Sequence, residues 1–113
     1  DRRRVTEPLR NQATDRPVER LDATVRGRVQ GVGFRYYVLR LAGRQGLTGW
    51  VANEPDGSVR CVVEGPPDQL DRIETMLHQG PQGAVVEAVQ AVRMPATGRF
   101  DRFEVRAAGH SGD

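Results

Sequence analysis

The feature that most constrains the fold is a run of alternating residues that stops at a pair of glycines. From Leu21 to Val29 apolar and polar residues alternate, which is typical of a strand with one buried face. Gly31 and Gly33 end this alternation, and apolar residues then recur with helical spacing over residues 34–42. The chain is therefore predicted to pass from a strand, through a tight glycine turn, directly into a helix.

The next segment has the pattern of a hairpin. Two β-rich runs, LTGWVANE over residues 47–54 and SVRCVVEG over residues 58–65, lie on either side of Pro55-Asp56-Gly57. Proline pre-sets φ and glycine tolerates a positive φ, so this tripeptide is typical of a turn. A short glycine-containing link between two such runs predicts a pair of antiparallel strands.

The remaining patterns complete a β-α-β-β-α-β order. Apolar residues share one helical face over residues 66–80, and a β-rich run follows over residues 84–94. Residues 102–106 are a candidate for a fifth strand. This order predicts an α+β fold of the ferredoxin-like split β-α-β kind, with an antiparallel sheet and two helices on one face. Strands one and three would be central, and strand two would pair with strand three. Fold alone assigns no function.

Composition predicts one folded body with polar ends. Hydrophobic content of 37% and charged content of 28% fit a soluble globular protein. Residues 1–20 are polar and show no sustained period, so they are predicted as a flexible extension, with a domain over residues 21–106 and a tail over residues 107–113. The sequence has no run of ~18 apolar residues and no signal-peptide core, and we expect a cytoplasmic protein that does not bind membranes.

Charge and residue counts argue against several binding functions. Six of the 17 arginines lie within residues 1–20, so the net charge of +2 comes from the extension and the body is neutral. A nucleic-acid partner is not expected, because such domains concentrate basic charge on a folded face. Cys61 is the single cysteine and the two histidines lack metal-ligand spacing, so we expect no metal and no cofactor. A monomer is the expected state.

The glycine turn is also a candidate anion site. Taken alone, a Gly-x-Gly pair indicates only a structural turn. However, such a loop lets backbone N–H groups converge on an oxyanion, and the helix start adds unpaired N–H groups and a positive dipole end. The dipole disfavours Arg35 in the first helical turn unless an anion lies beside it, and its planar guanidinium matches phosphate oxygens. Residues 30–35 therefore favour a small phosphate group; the third glycine and the lysine of nucleotide-binding motifs are missing.

Asn53 is a second candidate, with a weaker signal. It lies near the end of the second predicted strand, where an asparagine most often caps a turn. The predicted topology allows Asn53 to approach the glycine loop but does not require it. From the residues alone, both roles stay open.

Together, the two segments resemble the two signatures of the acylphosphatase family. The first is GRVQGVGFR over residues 27–35, and the second is GWVANEPDGSV over residues 49–59. The similarity extends over about residues 21–106, essentially the whole predicted body. It implies a ferredoxin-like fold and the hydrolysis of a small-molecule acyl phosphate to carboxylate and phosphate, without a metal ion.

The resemblance also implies residue roles. Arg35 corresponds to the family's catalytic arginine and Asn53 to its catalytic asparagine. Ala52 and Glu54 flank Asn53 in a variable segment, and strand alternation should turn both away from the side that Asn53 faces. Arg60 stands where many members carry an acid. The loop expected to bind the phosphate consists of Gln30, Gly31, Val32, Gly33 and Phe34, together with Arg35.

Two other functions stay open at this point. A non-catalytic binding module on the same fold, such as an RNA-recognition domain, would expose aromatic residues on its central strands. The third predicted strand, residues 58–65, has none, which weakens this alternative. The other alternative is an acylphosphatase-like domain from a larger maturation protein that uses carbamoyl phosphate.

Overall fold

The described part of the chain folds into a five-stranded sheet, a short pair of strands and two helices. The protein is represented by a computed structural model that describes residues 10–11 and 16–107. Within these ranges the elements are β1 (Arg10–Asn11), β2 (Arg16–Pro17), β3 (Glu19–Arg28), α1 (Phe34–Arg44), β4 (Thr48–Asn53), β5 (Val59–Gly65), α2 (Pro67–Gln79), β6 (Val85–Pro95) and β7 (Phe103–Arg106). The predicted order of strands and helices is confirmed, and the candidate fifth strand is present as β7.

The strand order in the sheet is β6-β3-β5-β4-β7. Strands β3 and β5 are interior neighbours and β4 pairs with β5, as the split β-α-β arrangement predicts. One pair differs from the predicted antiparallel sheet, because β7 lies parallel to β4 and makes the sheet mixed. After β6 the chain has to reach the opposite edge of the sheet, and the direction of a four-residue strand is not encoded in its own pattern.

Both helices cover one face of the sheet, as predicted. The β3–β5 register pairs Leu21 with Val63 and Ala23 with Cys61, and all four side chains are buried beneath the helices. Full burial of a leucine or valine side chain, such as Leu21 or Val63, contributes about 1.5–3 kcal/mol relative to an exposed one. The buried helix residues in this core are Phe34, Val38 and Ala42 of α1 and Leu70, Ile73 and Leu77 of α2.

Cys61 is part of this core rather than a reactive group. It is fully buried on β5. Burial, and to a lesser extent the negative charge of Asp22, raise the pKa of its thiol to about 12. A thiol that stays protonated at neutral pH is a poor nucleophile, so Cys61 serves the packing of the core.

The other face of the sheet is covered in part by the loop after β6. Trp50 on β4 is completely buried there and packs with Phe100 of this loop. Two guanidinium groups lie over its ring, that of Arg60 at 5.5 Å and that of Arg106 at 5.2 Å from the ring centre. Trp50 therefore packs within the fold and helps to hold the loop after β6 against β4.

A buried carboxylate anchors the same loop. Glu64 on β5 and Arg20 on β3 are each 6% exposed, and the Arg20 Nε donates to a Glu64 oxygen at 3.0 Å. Glu64 also accepts from the backbone N–H groups of Thr97 at 2.9 Å and Gly98 at 3.0 Å, and from the Thr97 hydroxyl at 2.8 Å. Burial alone would raise the pKa of Glu64, but these donors outweigh it and lower the pKa.

Glu64→Ala is expected to lower the free energy of unfolding by about 3–5 kcal/mol at pH 7, because it removes one partner of a buried ion pair. The stabilisation by this carboxylate is present above the pKa of an unfolded glutamate, about 4.3. It is lost as the pH falls through the lower pKa of the folded state. Urea unfolding of both proteins at pH 7 and pH 3 should therefore show a smaller difference at pH 3. Glu87→Ala, at an exposed β6 position, is the control, and an equal difference at both pH values would contradict the prediction.

Part of the predicted N-terminal extension forms strands. Strand β3 starts at Glu19, and β1 and β2 form a short antiparallel pair within the segment predicted as flexible. The rest of that prediction, residues 1–9 and 12–15, and most of the predicted tail, residues 108–113, lie outside the described residues. Among the helices of the described part, none has the length and apolar character needed to span a membrane.

Candidate active site

The loop between β3 and α1 has the conformation that its glycines predict. Gly31 has φ 76° and Gly33 has φ 79°, both in the left-handed region that residues with a Cβ avoid. A Cβ added at either position would meet no atom within 4 Å. The requirement for glycine therefore comes from the backbone conformation and not from a lack of space.

Helix α1 starts at this loop with an uncapped N-terminus. Gly33 is the N-cap residue, and its carbonyl accepts the first helical hydrogen bond from the Tyr37 N–H at 3.0 Å. Within the described residues, no side chain caps this helix, and its first turn has no acidic residue. An N-terminus of this kind offers N–H groups and a positive dipole end to an anion.

The apolar side chains of the loop hold it to the core. Phe34 is 2% exposed and packs edge-to-face on Tyr37, with ring centres 5.8 Å apart. Val32 packs against the same core. Because these side chains point into the fold, the contribution predicted for Val32 and Phe34 to phosphate binding can come only from their backbone N–H groups.

Arg35 lies in the first turn of α1 and is partly exposed. Its guanidinium carbon is 5.9 Å from the centre of the Tyr36 ring, a cation–π distance, and Tyr36 itself is 53% exposed. A positive side chain thus stands beside the uncapped helix start, as the sequence predicts.

Asn53 is the last residue of β4 and lies on the helix-covered side of the sheet. Its neighbours fix this side by alternation, since Val51 belongs to the core beneath the helices and Ala52 packs with Trp50 on the opposite face. Glu54 lines a cavity of about 650 Å³ on that opposite face. Ala52 and Glu54 therefore turn away from the side that Asn53 faces, which confirms the prediction from strand alternation.

The turn after Asn53 is held by its own hydrogen bonds. The Glu54 N–H donates to the Ser58 carbonyl at 2.8 Å, and the Gly57 N–H donates to the Glu54 carbonyl at 3.1 Å. Asp56 accepts from the Ser58 hydroxyl at 2.6 Å and from its N–H at 3.0 Å. These bonds from Ser58, followed by the contact with Arg26, lower the pKa of Asp56 to about 2. The predicted Pro-Asp-Gly turn is confirmed.

The glycine loop and this hairpin meet at one side chain. The Gln30 Nε2 donates to the Glu54 carbonyl at 2.8 Å and to the Ser58 carbonyl at 2.9 Å. The two segments whose proximity stayed open in the sequence are therefore in contact, with Arg35 on one and Asn53 on the other. The partners of Gln30 are carbonyls 24 and 28 residues away, which no local pattern indicates.

The chain is a ferredoxin-like α+β domain with a candidate anion site at the start of α1. At this site the glycine loop contacts the β4–β5 hairpin. A sequence profile described as Acylphosphatase matches residues 21–105. An acylphosphatase of Salinibacter ruber is 48% identical over 88 residues, which are 78% of this chain and 93% of the relative. The crystal structure of the Bacillus subtilis acylphosphatase superposes with a TM-score of 0.75 at 33% identity, over 78% of this chain and 98% of that one.

The chain belongs to the acylphosphatase family. Family and fold together identify an enzyme that hydrolyses acyl phosphates. A HypF structure from T. kodakarensis also matches, with a TM-score of 0.69 and 29% identity over 79% of this chain, but the match is only 12% of that protein. These comparisons do not favour the binding-module and larger-protein alternatives.

Proposed function

We propose that acyl-phosphate hydrolysis takes place where the 30–35 loop meets the β4–β5 hairpin, and that it needs no metal ion. The observation that supports this location is the pair of hydrogen bonds from Gln30 to the hairpin. They join the segment that carries Arg35 to the segment that carries Asn53. Arg35 lies on α1, which covers one face of the sheet, and Asn53 faces the same side.

The leaving group explains why no histidine or glutamate is needed as a general acid. An acyl phosphate releases a carboxylate, whose conjugate acid has a pKa of about 4. Such a group leaves without being protonated. The protein therefore has to hold the phosphoryl group, stabilise its charge and place a water molecule in line with the breaking bond.

The loop and Arg35 would perform the first two tasks. Backbone N–H groups of residues 30–34 and of the α1 start would donate to phosphoryl oxygens. The Arg35 guanidinium, with several N–H donors in one plane, would bind two of these oxygens at once. In the transition state the negative charge is spread over the equatorial phosphoryl oxygens, and donors fixed in the folded protein stabilise it without further reorganisation.

Asn53 would place the water. Its carboxamide is neutral and has both a donor and an acceptor, so it can orient a water molecule without removing its proton. The water oxygen forms a bond to phosphorus while the bond from phosphorus to the acyl oxygen breaks, and its electron pair leaves with the carboxylate. One water proton passes to a phosphoryl oxygen, which gives dihydrogen phosphate.

The test of this function is phosphate release from benzoyl phosphate by the purified chain, with and without EDTA. We expect hydrolysis at the same rate in both conditions, because Arg35 and the loop N–H groups supply the positive charge. Activity that EDTA abolishes and Mg²⁺ restores would contradict the metal-free mechanism. An intact fold with no turnover of benzoyl or acetyl phosphate would overturn the proposed function.

The oligomeric state, location and partner of the enzyme are part of the same proposal. We propose a monomer in the cytoplasm whose partner is a small acyl phosphate and not a nucleic acid. A single cysteine suits a reducing compartment, and a body without net charge after residue 20 is not typical of a nucleic-acid-binding domain.

A further inference from the structure

We infer that Gln30 is a positioning residue that sets Asn53 against the bound phosphoryl group, an inference that rests on the proposed function. The carboxamide of Gln30 joins the two halves of the site through backbone carbonyls only. Its effect on the reaction would therefore be indirect and would act through the placement of Asn53.

Both hydrogens of the Gln30 amide are committed to the hairpin. The Nε2 of Gln30 donates to the Glu54 carbonyl at 2.8 Å and to the Ser58 carbonyl at 2.9 Å, and the side chain is partly buried. Its remaining polar atom, Oε1, is an acceptor and does not match a phosphoryl oxygen. A contact of Gln30 with phosphate can therefore come from its backbone N–H but not from its side chain.

The carbonyls of Glu54 and Ser58 belong to the residues that close the hairpin turn. The Glu54 carbonyl also accepts from Gly57, and the Ser58 carbonyl also accepts from Glu54. Asn53 pairs with Val59 next to this turn. The hydrogen bonds from Gln30 therefore hold the residues next to this pair. Glu54 follows Asn53, and Ser58 precedes Val59.

Each half of the site has its own support without Gln30. Val32 and Phe34 pack the loop against the core, and Asp56 holds the turn through Ser58. Removing the Gln30 carboxamide should therefore leave both local structures in place and loosen only their relative position. A misplacement of about 1 Å can cost about 10²-fold in rate, so this looseness should reduce kcat.

The experiment is a double-mutant cycle with Gln30→Ala and Asn53→Ala, assayed on benzoyl phosphate. We expect Gln30→Ala to lower kcat by about 10- to 100-fold. Inhibition by inorganic phosphate should stay within about threefold, because the groups that hold phosphate remain. The double variant should be no slower than Asn53→Ala, since there is no longer an asparagine to position.

Two further variants make the cycle interpretable. Gln30→Met keeps the length of the side chain without its donors, and it replaces Gln30→Ala if that variant does not fold. Gln79→Ala removes a carboxamide from an exposed position at the end of α2 and should leave kcat unchanged. Urea unfolding of each variant checks that the fold is intact.

The outcomes separate this inference from the proposed function. Multiplicative losses in the double variant would overturn the positioning role, since Gln30 would then act independently of Asn53. A loss of phosphate inhibition in Gln30→Met would also overturn it and would indicate direct contact with phosphate. In both cases an active wild type leaves the proposed function standing, whereas an inactive wild type overturns both.

Discussion

Arg35→Ala is expected to lower kcat/KM for benzoyl phosphate by about 10³–10⁵-fold, the range by which an arginine finger raises the rate of phosphoryl transfer. Arg35 is the basic residue in the first turn of α1, beside a helix start that no described side chain caps. Its loss removes charge stabilisation from both the bound substrate and the transition state. Inhibition by inorganic phosphate should weaken together with the rate, which initial-rate assays would show.

Arg35→Lys tests whether the geometry of the charge matters. A lysine keeps the positive charge but loses the planar set of donors, so we expect it to restore only a small part of the activity. Arg40→Ala is the matched control, because Arg40 is an exposed arginine in the middle of the same helix. If Arg35→Ala kept its phosphate inhibition while Arg40→Ala lost it, the assignment of Arg35 would be wrong.

The sheet and helices were predictable because the spacing of apolar residues in the sequence shows which side chains are buried. The buried residues Leu70, Ile73 and Leu77 recur on one helical face, and the strand residues of β3 alternate, so each pattern identifies its element. The direction of β7 was not predictable, because its parallel pairing with β4 depends on where the preceding loop crosses the sheet. That crossing depends on contacts such as Glu64 with Gly98, which are distant in sequence.

The candidate site was predictable in its parts but not in its assembly. Glycines with positive φ and an arginine at a helix start are local features, and Gly31, Gly33 and Arg35 follow one another in the chain. The contact between this loop and the hairpin that carries Asn53 depends on tertiary pairing, through the hydrogen bonds of Gln30 to the hairpin. From local patterns alone, a turn cap was the favoured role for Asn53, ahead of a catalytic one.

Asn53→Ala is expected to lower kcat by about 10²–10³-fold, the usual effect of removing one preorganised polar contact. Unlike the Arg35 variants, it should keep KM and phosphate inhibition nearly unchanged, because Asn53 is assigned to the water and not to the phosphoryl group. Its place at the end of β4, on the side of the sheet that α1 covers, suits this role. Steady-state kinetics with phosphate as a competitive inhibitor would separate the two effects.

Asn53→Asp distinguishes orientation of the water from removal of its proton. If the carboxamide only orients water, a carboxylate beside an anionic substrate should repel it, raise KM and leave kcat low. A carboxylate acting as a general base would instead recover kcat as the pH rises through its pKa. Gln90→Ala is the control, since it removes a carboxamide from β6 beside the cavity on the opposite face of the sheet. Near-normal kcat in Asn53→Ala would show that water placement depends on another group.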